Sequence, residues 1–395
     1  MTAAATGITG VLRAPQAAHL LIASLLGRLP FGVAPLALLL AARASMSLSL
    51  AAVVVAAYTA GAAIGQPTLS RLADRWRQPP VIGGGVALST AGFLIAAGTP
   101  GAAVTIAAAA AAGLGAPPLE ACLRVRWKDL VDEKLVPTAY TLDVTSQEII
   151  FIVGPLLTLG SIAVLGPAGG LYAAAVVQLA GAVLFVAAPA ARQWRGEPAP
   201  RHWAGPLRAA RIRWLIGATA LVGSGVGTFT VAITGYAEAV GGDAGPTGTA
   251  GWLLSAQAVG ALAGGAYFAR RAGGSSVHRL AGLVGAMGLA YVPLLATPPV
   301  PVMAVAVVAS GFLLPPVLTE VMMSVDAAAP GGTAAEAFAW IITAFSVGSA
   351  LGAAADGVLV DTIGVTALGF LPAPIVLGLA AVLLRFGLRS RRVVS

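Results

Sequence analysis

The chemistry-bearing residues of this chain sit inside stretches otherwise fit for lipid. Arg28 interrupts SLLGRLPFGVAPLALLL (24–40), near the middle of an apolar run from Pro15 to Ala42. A guanidinium at that depth costs roughly 2.5–3.5 kcal/mol on insertion scales, so the protein must compensate it from within. A second stretch, LDVTSQEIIFIVGP (142–155), carries two carboxylates, Asp143 and Glu148. They are five residues apart, roughly 140° around a helix, so only one of them can face a given neighbour. Glu148 lies about ten residues into its apolar run, ~15 Å at 1.5 Å per residue, a depth comparable to that of Arg28. Burial raises a carboxyl pKa and a nearby arginine lowers it, and a balance near neutrality would suit proton exchange. A static ion pair is the competing reading of the same residues, and direct binding of an anionic substrate by Arg28 is a third.

The elements that must position these groups are membrane helices. Of 395 residues, 58% are hydrophobic and only 10% charged, with a mean hydropathy of +0.90. Soluble domains carry about 25% charged residues, so the composition is that of a polytopic membrane protein. The 50 glycines and 26 prolines suit membrane helices. The lone Cys122 excludes an intramolecular disulfide. The first apolar run is too long for a signal peptide and lacks a cleavage site, so no leader is expected.

Polar breaks divide the chain into twelve expected spans, at 15–41, 50–70, 80–98, 102–123, 138–164, 169–188, 214–237, 249–269, 278–296, 300–324, 333–360 and 364–386. Alternate loops then hold 21 of the 23 basic residues, with only Arg43 in an opposite loop and Arg28 within a span. The positive-inside rule puts both termini and the central loop in the cytoplasm, for a protein of the cytoplasmic membrane. The net charge of +8 is thus a topology signal, and no nucleic-acid partner is expected.

The longest polar stretch, PAARQWRGEPAPRHWAGPLRAARIR (189–213), separates a six-span half at 1–188 from a second at 214–395. The halves resemble each other at a constant offset of 198 or 199. GAAIG at 61–65 matches GALAG at 260–264, and the pair Pro117–Pro118 matches Pro315–Pro316. TAYTLDVT at 138–145 matches EAFAWIIT at 336–343, and Gly154 matches Gly352. An even number of spans per half gives both the same orientation, related by a pseudo-two-fold axis along the membrane normal, as in transporters that rock about a midplane site.

GQPTLSRLADRWRQPPVI (65–82), after the second span, resembles the loop-2/3 signature of the major facilitator superfamily. Leu72, Ala73, Asp74 and Arg75 match it, whereas Ser70 and Arg77 stand where glycines are usual and Gln78 replaces a basic residue. FIVGPLL in the fifth span resembles the family's antiporter motif at Gly154 and Pro155, and departs from it at Ile150, Thr158 and Leu159. The resemblance implies an all-α membrane fold of twelve transmembrane helices in two six-helix halves. It also implies that spans one and five are neighbours, so Glu148, or failing it Asp143, is the expected partner of Arg28. By the same resemblance, Asp74 docks near the start of span eleven as a cytoplasmic gate, with Arg75, Arg124 and Glu336 around it. The central cavity would be lined mostly by spans one, four, seven and ten, with Arg28, Ser24, Glu120, Ser224, Thr228 and Thr230 as its few polar groups.

Other features read more simply. Glu120 and Glu320 each follow a Pro-Pro pair, where missing donors favour a bend; they are gate acids that meet loop arginines, or interfacial acids beside a basic surface. Glu120 and Arg124 have i,i+4 spacing. Glu336 also suits the first turn of a helix. Asp356 and Asp361, near the outer end of span eleven, are expected to be solvated. The GxxxG pairs read as helix packing, Trp76, Trp127, Trp194, Trp203 and Trp214 as an interfacial belt, and His19, His202 and His278 lack metal-ligand spacing. There is no catalytic constellation and no GxxxxGK[ST], so neither an enzyme nor an ATP-driven pump is expected.

These readings converge on a secondary active transporter that works by alternating access, without cofactor, as a monomer in the bilayer. Proton-coupled export of small amphipathic molecules is the first expectation, since a largely apolar cavity suits them better than sugars. A proton-coupled importer of a small anionic metabolite and a non-transporting receptor or sensor are the alternatives.

Overall fold

The computed structural model of the chain describes residues 7–98, 101–194, 204–240, 245–270, 277–363 and 366–387. Every regular element among them is helical. Eleven helices are long and apolar enough to cross a membrane: Ala17–Arg43, Leu50–Arg75, Gln78–Gly98, Ala102–Arg124, Glu133–Leu165, Gly169–Ala187, Ala210–Val240, His278–Ala296, Val300–Ala328, Ala334–Val360 and Ala367–Phe386. The expected eighth span is present as a helix, Gly245–Ala269, but is not one of the eleven. Its glycines, Ser255 and Gln257 dilute its hydropathy. Below, spans keep their order along the chain, with Gly245–Ala269 as span eight. Exposed side chains such as Phe151, Leu156, Val176 and Leu289 give the helices an apolar outer surface suited to lipid. Of the basic residues that define the topology, Arg195, Arg201, Arg271, Arg389, Arg391 and Arg392 lie outside the described residues, as do Trp203 and His202.

The chain forms two compact units. The first comprises Met1–Val136, Ser146–Pro206 and Pro330–Trp340; the second comprises Pro137–Thr145, Leu207–Ala329 and Ile341–Ser395. Span five therefore lends its start to the second unit, and span eleven lends its start to the first. In the first unit span two packs on four, one on six, three on six and one on two; in the second, eight packs on ten, seven on twelve, nine on twelve and seven on eight.

Small residues set these contacts, as expected where lipid removes the hydrophobic drive between helices. A side chain at Gly61 or Gly65 would strike the backbone of Ala110 or Leu114, and one at Gly260 or Gly264 that of Val308 or Phe312. The two GxxxG pairs are packing seams.

Prolines shape the spans differently. Span four stops at Leu114, passes through the non-helical residues 115–118, and restarts as Leu119–Arg124. Pro315 and Pro316 instead occupy the first turn of Leu314–Ala328, where their missing N–H groups are harmless. Pro155 lies inside Glu148–Leu165.

Candidate functional site

The first unit gathers its buried charge around Glu120. Arg28 closes the helix Ala17–Arg28, just before the chain restarts at Pro30, and is 1% exposed. Its Nη2 lies 3.5 Å from Oε2 of Glu120. Arg124, one turn beyond Glu120, pairs with the other carboxylate oxygen, and the Gln147 side-chain amide donates to that same oxygen. The break at 115–118 allows this arrangement: it puts Glu120 in the first turn of a new helix, with Arg28 on one side and Arg124 on the other.

Glu148, the first expected partner of Arg28, is not paired with it. Glu148 is half-buried at the start of Glu148–Leu165 and makes no hydrogen bond or ion pair among the described residues. Counting depth along unbroken helices matches Glu148 to Arg28, but the interrupted span four brings a nearer carboxylate. Asp143 is fully buried and belongs to the 137–145 segment of the second unit. Ser24, one turn before Arg28, is fully buried, and its hydroxyl has no partner among the described residues.

At the basic end of span two, Asp74 caps span eleven. Oδ1 accepts from the backbone N–H of Ala335 at 3.1 Å and Oδ2 from that of Glu336 at 2.8 Å. These are among the first N–H groups of the helix Ala334–Ile363, which have no intrahelical acceptor and carry the positive end of its dipole. Arg71, one turn before Asp74, reaches Oε2 of Glu336 with Nε at 3.7 Å. Gly205, at φ 51°, closes over the Glu336 carboxylate, where a side chain would collide with it. The expected gate is thus partly rearranged. Asp74 and Glu336 come together, with Arg71 in contact and the exposed Arg75 near enough to act on the Glu336 charge, while Arg124 pairs with Glu120.

Gln78, one of three residues that depart from the family signature, has a role of its own. Fully buried, it accepts from Arg126 Nε at 2.9 Å and donates to the Cys122 carbonyl at 3.3 Å. The Arg126 guanidinium also stacks 5.8 Å from the Trp194 ring centroid. Burial pulls its pKa down to about 10, so it stays charged at neutral pH.

In the second unit, Glu320 is 2% exposed and pairs at 3.1 Å with Arg279, one of the basic residues that mark the loop side. The two border a small recess also lined by Thr141, Phe268, Thr319 and Met323. Thr319 donates to Thr141 at 3.2 Å, and Thr141 to the Pro137 carbonyl at 2.9 Å. Two of the expected cavity residues lie in a helix seam instead: Ser224 sits against Gly352, and buried Thr228 donates to the Gly352 carbonyl at 3.4 Å. Thr230 is exposed and donates to the Val226 carbonyl of its own helix. Asp356 is 1% exposed, which overturns the expectation that it is solvated; the Asp361 side chain lies outside the described residues.

Sequence reasoning missed Gln147, Arg71, Arg126 and Arg279 as partners. Two of them had a readable signal: Arg71 is one helical turn from Asp74, and Gln147 is an uncharged polar residue inside an apolar run.

A membrane fold of paired units, with buried charges at the helix breaks and an acid from span two capping span eleven, defines a secondary transporter. The chain belongs to the Major Facilitator Superfamily, whose family profile matches residues 20–332. Solved structures share the fold at low identity. The human organic anion transporter MFSD10 (TETRAN) superposes with a TM-score of 0.71 at 14% identity, covering 93% of this chain and 98% of that one. A bacterial homologue of the iron transporter ferroportin, outward-facing, gives 0.72 at 16%, covering 94% and 99%. The E. coli fucose:proton symporter FucP gives 0.69 at 16%, covering 94% and 98%. No curated protein matches the sequence significantly.

Proposed function

We propose that this transporter is a proton-coupled exporter of small amphipathic molecules, working as a monomer by alternating access between halves at 1–188 and 214–395 joined by the 189–213 loop. Its termini and basic loops face the cytoplasm, on the positive-inside distribution of Lys and Arg. The observation that carries the reading is Glu148: a half-buried carboxylate in an apolar span, without an ion pair among the described residues, directly after the Gln147 that holds Glu120. A carboxylate so placed is a functional residue by default. Protonation of Glu148 removes its charge from the span, and Gln147 links that event to the Arg28–Glu120–Arg124 cluster. Asp143 is the second carboxylate of the proton path. Asp74 and Glu336, with Arg71, form the cytoplasmic gate, and Gly154–Pro155 and Pro117–Pro118 supply its bends.

The test is retention of a panel of dyes and antibiotics in efflux-deficient bacteria, with membrane expression checked for each variant. Wild type is expected to lower retention of at least one compound, and a protonophore or Glu148→Gln to abolish that effect. Unchanged efflux in Glu148→Gln would sink the coupling role.

A second reading has its own support. Two buried arginines converge on one carboxylate, and a substrate anion that displaced Glu120 would meet both guanidiniums in bidentate geometry. One structural neighbour is an organic anion transporter. That reading predicts uptake of small anionic metabolites that Arg28→Lys weakens without loss of expression.

A further inference from the structure

We propose that Asp356, in span eleven of the second unit, is a proton-binding site in its own right, its carboxyl held neutral inside the seam between spans seven and eleven. The proposal is independent of the role given to Glu148.

The seam is written in the sequence at four-residue spacing: Gly348, Gly352, Asp356. A side chain at Gly348 would strike the backbone of Ala220, and one at Gly352 that of Ser224. From the other side, Gly223 and Gly227 press on Phe345 and Ser349. One further turn along the same face puts Asp356 between the helices. Its carboxylate lies near the position a Gly369 side chain would occupy, 3.6 Å away, alongside Ala232 and Val360. Asp356 is 1% exposed, and neither carboxylate oxygen has a hydrogen-bond partner among the described residues.

The surrounding charges do not rescue an ionised form. No Lys, Arg or His occurs at 214–269 or 280–384. On span seven, the titratable groups beyond Asp356's level are Tyr236, whose hydroxyl donates to the Pro298 carbonyl at 2.6 Å, and Glu238, which is exposed and of like charge. The segments Thr366–Gly369 and Pro372–Gly387 contribute only Arg385, in the last turn of the latter. On span eleven itself Glu336 is at the opposite end, and the Asp361 side chain is outside the described residues. A bare carboxylate in such a place is so costly that the group takes a proton instead.

A metal cation is the poorer occupant. Hard cations need six or more oxygens; here the Gly352 carbonyl, one turn back, already accepts from Thr228, and the groups that meet the carboxylate beside Gly369 are the Ala232 and Val360 side chains. No cluster of three His, Cys, Asp or Glu residues that could hold a metal occurs among the described residues. The proton comes from water and returns to it when the seam opens, leaving the carboxylate briefly hydrated.

The experiment compares wild type, Asp356→Asn and Glu148→Gln as full-length protein in lipid nanodiscs, by infrared spectroscopy of the carboxylic-acid carbonyl band near neutral pH. Wild type is expected to show a protonated-carboxyl band that Asp356→Asn loses and Glu148→Gln retains. The same samples are melted across pH. The native state keeps this proton while the unfolded chain releases it, so wild type loses stability relative to Asp356→Asn as pH rises above the ordinary aspartate value. An unchanged band in Asp356→Asn would overturn the proposal. So would failure of that variant to fold, because asparagine reproduces the shape and neutrality of the acid. Stabilisation of wild type by sodium but not choline chloride, lost in Asp356→Asn, would replace the proton with a cation.

Discussion

The two units share a packing plan, yet one buried acid in each meets opposite surroundings. In the first, Glu120 is ringed by Arg28, Arg124 and Gln147. In the second, Asp356 sits in a helix seam with no Lys, Arg or His at 214–240 or 334–363. The position 198 residues before Asp356 is Thr158, which lies in the corresponding seam of the first unit. Thr158 bonds the carbonyls of Gly154 at 3.0 Å and Val33 at 3.3 Å, so its polar group is satisfied by backbone alone. A hydroxyl fits that niche; a carboxyl in the matching niche does so only when neutral. Fold plan and electrostatics have therefore separated: the repeat dictates where helices touch, and single substitutions within it decide which niche holds an ion pair, which a hydroxyl and which a proton.

The sharpest way to break this contrast is to neutralise each acid in turn. Glu120→Ala takes a carboxylate away from two buried guanidiniums, and removing one partner of a buried pair costs about 3–5 kcal/mol. The variant is expected to melt far below wild type in detergent, or to fail to accumulate in membranes. Asp356→Asn removes no partner and is expected to melt close to wild type at acid pH and above it near neutral pH, where only wild type must hold a proton that the unfolded chain releases. Equal losses in the two would mean that both acids are ionised and paired, and the contrast would fall.

The same contrast marks how far the sequence could be read. Span positions follow from hydropathy, because lipid leaves long apolar helices as the solution for this chain. Asp74 was legible because its motif fixes a residue at the end of span two, and the open N–H groups of span eleven supply its ligands. The need of Arg28 for a counter-charge was equally plain. Its partner was not: depth counted at 1.5 Å per residue assumes a continuous helix, and residues 115–118 of span four are not helical. The Pro117–Pro118 pair announced a bend without giving its direction. Asp356 was legible in principle, since Gly348 and Gly352 mark a contact face whose next member it is. Nearness to the end of the span obscured that periodicity.

Smaller effects sharpen the packing half of the comparison. A methyl group on Gly154 would collide with the backbone of Gly32, and one on Gly352 with that of Ser224. Gly154→Ala and Gly352→Ala are each expected to destabilise by about 1–3 kcal/mol through overpacking, read as a lowered melting temperature. Matching losses would make the two seams equivalent parts of the repeat. Tolerance at one position only would show that its seam opens at little cost, and that unit would be the one in which a seam residue can exchange protons with water.

The smallest predicted difference concerns how each unit receives the borrowed start of a span. In the first unit Asp74 accepts from two N–H groups of span eleven with its two carboxyl oxygens; in the second, Thr138 of span five donates one hydrogen bond to the Ala269 carbonyl at 3.1 Å. Losing an N-cap carboxylate costs about 0.5–2 kcal/mol, and losing a single neutral bond about 0.5–1.5 kcal/mol. Asp74→Ala should therefore destabilise slightly more than Thr138→Val, but its better signature is local. Hydrogen exchange at the amides of Ala335 and Glu336 is expected to accelerate in Asp74→Ala while amides in the middle of span eleven keep their protection. Thr138→Val should leave those two amides unchanged, because its bond closes on a carbonyl of the other unit. If exchange at Ala335 and Glu336 does not respond to Asp74→Ala, the helix start is held by Arg71 and Glu336 instead, and the carboxylate cap is incidental to the gate.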